Sequence, residues 1–297
     1  MLQGLSITKQ ENDGAYCGSF FAMASSCEVL VECSEALCAT QIIEAVFTEA
    51  KRIESKFSRY LKTNIVYKIN HSAGKPVCLD DETCHLVDFA YLCHQLSDGL
   101  FDITSGVLAQ VWSFDGSDNI PDRAQIDKLL PLIGLHKVTW QAPYLTLPKG
   151  MALDFGGIGK EYAVDCCLAK AVDIAATVPV LLNFGGDLIC NGSRQNGSGW
   201  TIGIESVVGV KPIVLSLKKG ALATSGDVNR YLLQKGIRYS HILNPLTGYS
   251  VIDAPRSITV AAESCIEAGL LSTLAMLQGA QADPFLAQQS VDFWIQK

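Results

Sequence analysis

The segment Leu153–Lys160, L-D-F-G-G-I-G-K, sets three glycines between an apolar run and a helical one, and it constrains the fold more than any other stretch of the chain. Glycine there permits tight turns and close approach of the backbone to a ligand. Amides left open at the start of the helix favour an anion, and Lys160 adds a positive charge. The spacing is not that of a Walker A loop, because G-K-[ST] is absent, and it is not G-x-G-x-x-G. On these residues alone a structural glycine turn and a phosphate cradle both stay open.

The surrounding periodicities decide the fold class. In Glu35–Leu61 the residues Ile42, Val46, Ala50, Ile53 and Phe57 recur at steps of three and four, which predicts an amphipathic helix. Cys27–Val31 alternates like a strand. Asp80-Asp81-Glu82-Thr83 puts acids and a capping residue ahead of a second helix that ends near Asp98-Gly99. A third helix is expected over Arg123–Ile133 and a fourth from near Lys160. Val178–Asn183 reads as a buried strand running into Gly185-Gly186. Trp200–Ile204, Ile213–Leu217 and Ser257–Ala262 read as strands, and Ile266–Leu277 as a late helix. Strands and helices do not alternate regularly, which favours a mixed α/β (α+β) fold over a doubly wound sheet. With 297 residues, 48% of them hydrophobic, there is core for one large domain or two closely packed lobes.

Charge and cysteine usage exclude several roles. A net charge of −7 argues against a surface that must neutralise nucleic-acid phosphates. No apolar run approaches the roughly 20 residues that span a bilayer. The first residues, M-L-Q-G-L-S-I-T-K-Q, lack the basic start and apolar stretch of a secretory signal. Eleven cysteines without a C-x-x-C pair read as reduced, structural thiols rather than a zinc site, so a cytoplasmic location is expected.

Three further segments carry polar groups beside glycine or proline. Asn183-Phe184-Gly185-Gly186-Asp187 reads equally as a simple hairpin or a site. Ala223-Thr224-Ser225-Gly226-Asp227 offers two hydroxyls and a carboxylate to a polar turn, a phosphate or a metal-proximal loop. Tyr239-Ser240-His241-Ile242-Leu243-Asn244-Pro245 sets a histidine before a proline turn. His241 is either a structural residue or a base whose unperturbed pKa, about 6.5, suits proton abstraction near neutrality.

From about Phe20 to Gly279 these segments follow one order, and in that order the chain resembles the flavin transferases of the ApbE family. Phe21-Ala22-Met23-Ala24-Ser25 resembles the opening motif, usually Met-Gly-Thr. Phe57-Ser58-Arg59-Tyr60 and Ile69-Asn70 resemble the helix end and asparagine that follow it. Asp98-Gly99-Leu100-Phe101-Asp102-Ile103-Thr104 is similar to G-x-F-D-I-T. L-D-F-G-G-I-G-K with Ala163-Val164-Asp165, then N-F-G-G-D, T-S-G-D and S-H-I-L-N-P-x-T-G complete the series. The resemblance sets a flavin transferase domain over residues 20–297 after an N-terminal extension, 1–19.

What the resemblance implies is a FAD site with Met23, Tyr60, Leu100, Phe101, Asp102, Asp154, Lys160 and Ile242 near the nucleotide. A threonine or serine hydroxyl of an acceptor flavoprotein attacks the FMN-side phosphorus and AMP leaves, with His241 matching the histidine that takes the proton. A Mg2+ ion offsets charge on the pyrophosphate. The family's last helix usually reads A-D-x-x-x-T, with the aspartate and threonine as metal ligands beside a carbonyl of the glycine motif. Here Thr273 is kept, the carbonyl is assigned to Gly157, and the aspartate position is Gly269. Glu161 stands where a glycine usually follows the motif lysine. Asp187 and Asp227 are the candidate replacement carboxylates, and Gly269→Asp is expected to restore the ligand. A FAD-binding protein without transferase activity and a FAD pyrophosphatase are the alternatives.

Overall fold

The computed structural model describes residues 2–10, 14–115, 117–206, 211–228 and 230–297. Strands β1 (Ser6–Lys9), β2 (Tyr16–Ala22) and β3 (Ser25–Val31) lead into α1 (Ala36–Phe57), α2 (Ile65–Asn70), β4 (Val77–Cys78) and α3 (Asp81–Leu96). A 3-10 stretch over Ile103–Gln110 and helix α4 (Arg123–Leu129) precede β5 (Thr139–Gln141) and β6 (Tyr144–Thr146). Helix α5 (Gly159–Ile174) opens a run of strands: β7 (Val180–Phe184), β8 (Asp187–Cys190), β9 (Trp200–Ile204), β10 (Ile213–Leu217), β11 (Gly220–Gly226), β12 (Tyr231–Gln234) and β13 (Ile237–Ser240). Strand β14 (Ser257–Ala262), helices α6 (Cys265–Leu277) and α7 (Ala282–Ala287) and strand β15 (Asp292–Gln296) end the chain.

An eight-stranded antiparallel sheet in the order β1-β2-β3-β7-β8-β11-β14-β15 forms the centre. One face carries Val29, Leu182, Ala221 and Val260 and is covered by α1, α5 and α6 through Ile42, Val46, Val164, Cys167, Ala268 and Met276. On the other face Leu181, Cys190 and Leu222 pack against Trp200 and Ile202 of the β9–β10 hairpin. The second lobe gathers α2, α3 and the small sheet β4-β6-β5 around Val66, Leu86, Leu145, Leu153 and Phe155. Helix α1 joins the lobes: Ile42 and Val46 sit in the sheet core, while Ile53 and Phe57 sit in the second. Its step of three and four is therefore one stripe serving two cores.

The α+β architecture is as expected, and the fold follows from which strands pair. Strands β9, β10 and β14 have the bounds read from their alternation. Helix α3 starts where its acids predict, with the Asp80 side chain accepting from the Thr83 N–H at 2.9 Å. Two helices are shorter than the periodicity implies. Helix α1 stops at Phe57 rather than Leu61, because Ser58 turns extended and its carbonyl accepts from the Asn64 side chain at 2.6 Å. Helix α4 gives way after Leu129 to a 3-10 turn holding Pro131, which has no N–H to continue the α ladder. The boundary drawn after residue 19 falls inside β2, and β1 pairs with β2 at the edge of the central sheet. All eleven cysteines are free thiols. No helix among the described residues is long and apolar enough to cross a membrane.

Candidate active site

The glycine segment leaves the second lobe as an extended stretch fixed at Leu153 and enters α5 at Gly159. Asn70, the last residue of α2, holds Leu153 through both backbone groups, accepting from its N–H at 2.7 Å and donating to its carbonyl at 3.0 Å. Asp154 then turns back on the loop. Its Oδ1 accepts from the Gly156 N–H at 2.9 Å, and its Oδ2 is 2.8 Å from the Arg59 guanidinium. Arg59 lies over the ring of Tyr60 and donates to its hydroxyl at 3.0 Å. Tyr60 is largely exposed. Arg59, the residue between two expected site positions, is thus what connects Tyr60 to Asp154.

Phe101 is buried against Gly157, where an added β carbon would lie 3.1 Å from the ring. Leu100 is half-buried beside it in the same core. Asp102 has a different part from the others. It is buried, and its oxygens accept from the Thr104 N–H at 2.7 Å, the Thr104 hydroxyl at 2.6 Å and the Leu135 N–H at 2.9 Å. Those bonds commit Asp102 to shaping the loop that presents Leu100 and Phe101. On the central sheet, Met23 and Ala24 form the two-residue β2–β3 turn, with φ of 50° and 58°. Glu54 of α1 accepts from the Met23 N–H at 2.6 Å, which holds this left-handed turn in place.

Beyond the glycines, Lys160 is ion-paired with Asp187 at 2.5 Å, which ties α5 to the start of β8. Asp187 is buried and also accepts from the Thr224 N–H at 3.4 Å. Glu161 follows on α5. Burial, and then the charge of Asp187, hold its carboxyl well above the usual carboxylate range. Its Oε2 is buried and has no hydrogen-bond partner. Gly269 on α6 faces it: a β carbon built there would lie 2.5 Å from Glu161 Cγ. Four residues on, the Thr273 hydroxyl is 2.9 Å from that of Ser225, which also bonds Ser272 at 2.8 Å. Asp165 fixes the start of α6 by accepting from the N–H groups of Cys265 and Ile266 at 2.8 and 3.0 Å.

These contacts correct two expectations about carboxylates. Asp227 is held by Arg238 at 3.0 Å and Arg256 at 2.7 Å, so both its oxygens are spent on arginine. Gly269→Asp cannot simply restore a ligand, because its side chain would need the volume that Glu161 occupies. Among the described residues no group of three or more His, Cys, Asp or Glu is arranged to hold a metal ion.

His241 follows β13, and its Nδ1 lies 3.2 Å from the carbonyl oxygen of Arg230. A carbonyl only accepts, so Nδ1 carries the proton and Nε2 keeps its lone pair. Burial, and then the positive charges of Arg230 and Lys160, push the imidazole below its ordinary 6.5. Ile242 touches both hydrophobic cores, and its N–H donates to the Ser240 hydroxyl at 3.1 Å. Glu161, Asp187 and Arg59 acquire their places only through contacts between distant segments. The one signal for Glu161 in the sequence is that a bulky acid follows the motif lysine.

A glycine turn, a half-buried lysine and a neutral histidine presented by an α+β scaffold define the class of a phosphoryl-transfer site. The family model described as ApbE family matches residues 23–295, and the chain belongs to that family. It is 27% identical over 247 residues to the FAD:protein FMN transferase of Vibrio cholerae, covering 80% of this chain and 73% of that protein. It is 29% identical to the protein of the same name from Klebsiella pneumoniae, covering 80% and 75%. Among solved structures, the ApbE protein of Thermotoga maritima superposes with a TM-score of 0.86 at 31% identity, covering 95% of this chain and 94% of that one. The apo flavinyl transferase ApbE of Pseudomonas stutzeri shares the fold, with a TM-score of 0.84 at 24% identity and coverage of 99% and 92%.

Proposed function

We propose that this chain transfers FMN from FAD to a threonine or serine hydroxyl of an acceptor flavoprotein and releases AMP. The observation that carries the reading is His241: its Nδ1 is spent on the Arg230 carbonyl at 3.2 Å, which leaves Nε2 as the proton acceptor. The acceptor oxygen bonds to the FMN-side phosphorus, the bond from that phosphorus to the bridging oxygen breaks, and AMP departs with that oxygen. His241 Nε2 takes the hydroxyl proton as the new bond forms. Lys160 and the open amides of α5 face the pyrophosphate. Met23, Tyr60, Leu100, Phe101, Asp154 and Ile242 line the site for the nucleotide, and Asp102 holds the loop on which Leu100 and Phe101 stand.

The residues present fit a divalent cation, because a buried carboxylate oxygen beside a lysine-paired aspartate lacks any donor. Thr273 and the Gly157 carbonyl are the neutral oxygens that would hold Mg2+ with the FAD phosphates, since Mg2+ rarely takes an all-protein cage. When bound, the ion neutralises charge on the pyrophosphate and the leaving group. The acceptor on this reading is a cytoplasmic flavoprotein with a threonine in its flavinylation segment.

The deciding experiment incubates the protein with FAD, Mg2+ and an acceptor domain. Covalent flavin fluorescence on the acceptor, with one AMP released per flavin bound, is expected. FMN and AMP released at the same rate with or without acceptor would identify a pyrophosphatase. FAD binding with neither product would identify a binding protein.

A further inference from the structure

Gly269 lacks a side chain, and the space in front of it is filled from α5. A β carbon at Gly269 would lie 2.5 Å from Glu161 Cγ, 3.1 Å from Cδ and 3.2 Å from Oε1. The carboxylate of Glu161 therefore occupies the volume that a side chain of residue 269 would enter. Gly269 is one helical turn from Thr273, on the same face of α6, and its carbonyl accepts from the Ser272 hydroxyl at 3.0 Å. The other acids nearby are committed: Asp187 to Lys160, Asp227 to Arg238 and Arg256, and Asp165 to the amides of Cys265 and Ile266. Glu161 Oε2 and Asp187 Oδ2 are both buried without a hydrogen-bond partner, and of the two only Asp187 Oδ2 has a cation, Lys160, beside it. A buried carboxylate oxygen without a donor is costly unless a cation meets it.

We infer that Glu161 supplies the carboxylate ligand of the divalent-cation site, reaching from the first turn of α5 into the space that Gly269 leaves open on α6. This rests on the FMN-transfer reading for the presence of a cation. The ligand has changed helices, so the two positions are a matched pair. A residue larger than glycine at 269 excludes the Glu161 side chain, and a glycine at 161 would leave the site without its acid. Asp187 stays with Lys160 and bears on the ion through space.

The test is a Mn2+ titration of the FAD-loaded protein, followed by the electron paramagnetic resonance signal of free Mn2+. FAD affinity is measured separately by flavin fluorescence. Glu161→Gln keeps the size of the side chain and should weaken Mn2+ binding on the order of tenfold or more while FAD still binds. The double variant Glu161→Gly with Gly269→Asp offers the carboxylate from α6 instead and should recover most of that loss. Unchanged Mn2+ affinity in Glu161→Gln overturns the inference, as does a double variant that folds, binds FAD and stays as weak as Glu161→Gln. An acceptor-labelling assay on the same preparations keeps the two ideas apart. Labelling by a wild type whose Mn2+ affinity ignores residue 161 sinks only the ligand assignment, whereas absence of labelling and of FAD binding sinks the function.

Discussion

The side-chain amide of Asn70 is bonded to both backbone groups of Leu153, accepting at 2.7 Å and donating at 3.0 Å, as a neighbouring strand would. At Leu153 the segment entering the glycine turn is thus held by one side chain from α2, and one residue on the Asp154 N–H donates to the Ile103 carbonyl at 2.8 Å. Asn70→Ala should destabilise the protein by about 1–3 kcal/mol, because Leu153 is buried and its N–H is left without a partner. The slackened turn should also weaken FAD binding several-fold. Urea denaturation and flavin fluorescence titration measure the two effects, and a variant with wild-type FAD affinity would show that Asn70 serves the fold alone.

His241 gives a pH signature as well as a loss of rate. Its folded pKa lies below the ordinary 6.5, so the neutral, proton-accepting form persists below that pH. The acid limb of FMN transfer should therefore fall below pH 6.5, with activity lost as pH drops through the folded value. His241→Ala should lower transfer by about 10²–10⁴-fold and leave FAD affinity nearly intact. A wild-type acid limb above pH 6.5 would contradict the assignment of the base to His241.

Much of this was legible in the sequence, and the remainder has physical reasons for being hidden. Strands such as Trp200–Ile204 alternate against one buried face, so their bounds can be read directly. Helix α2 is six residues long, too short for a helical period to show, yet it carries Asn70. Strand β2 mixes Cys17, Gly18 and Ser19 with Phe20 and Phe21, and only its pairing with β1 and β3 reveals it. The ordered motifs point to Met23, Tyr60, Asp154, Lys160, His241 and Thr273, and the structure joins Tyr60 to Asp154 through Arg59 and bonds Thr273 to Ser225. The partnership of Glu161 with Gly269 depends on how α5 packs on α6, which no local pattern encodes. Ala24 shows the opposite case: the resemblance marks it as standing where glycine is usual, and its φ of 58° gives the reason.

Away from the site, Glu82 fastens three helices together. It accepts from Arg52 at 2.6 and 2.8 Å, from Lys56 at 2.5 Å and from the Tyr162 hydroxyl at 3.0 Å. Hydrogen bonds from Arg52 first, and then from Lys56 and Tyr162, lower its pKa from 4.5 to about 2. A carboxylate whose folded pKa is depressed contributes stability above its unfolded value, and the contribution is lost as pH falls through the folded value. Glu82→Gln should cost about 1–2 kcal/mol at neutral pH after allowance for solvent screening. The gap between wild type and variant should close between pH 4.5 and about 2. Chemical denaturation across that range checks it, and a gap independent of pH would assign the cost to packing.

The last prediction isolates the packing of α5 on α6 from any bound ion. Gly269 is buried in the middle of α6, where alanine would ordinarily be favoured over glycine by about 1 kcal/mol. Here the added methyl carbon meets Glu161 Cγ at 2.5 Å, a distance that forces the glutamate out of its position. Gly269→Ala should therefore destabilise the protein by about 1–3 kcal/mol despite its better helix propensity. Glu161→Ala removes the obstructing atoms, and in that background the same Gly269→Ala change should be neutral or stabilising. The two substitutions should couple by about 0.5–3 kcal/mol in a double-mutant cycle of thermal or urea unfolding, run without divalent cations. If the single and double variants simply add, the Glu161 side chain does not rest against Gly269, and the shared volume on which the metal-ligand assignment depends is not there.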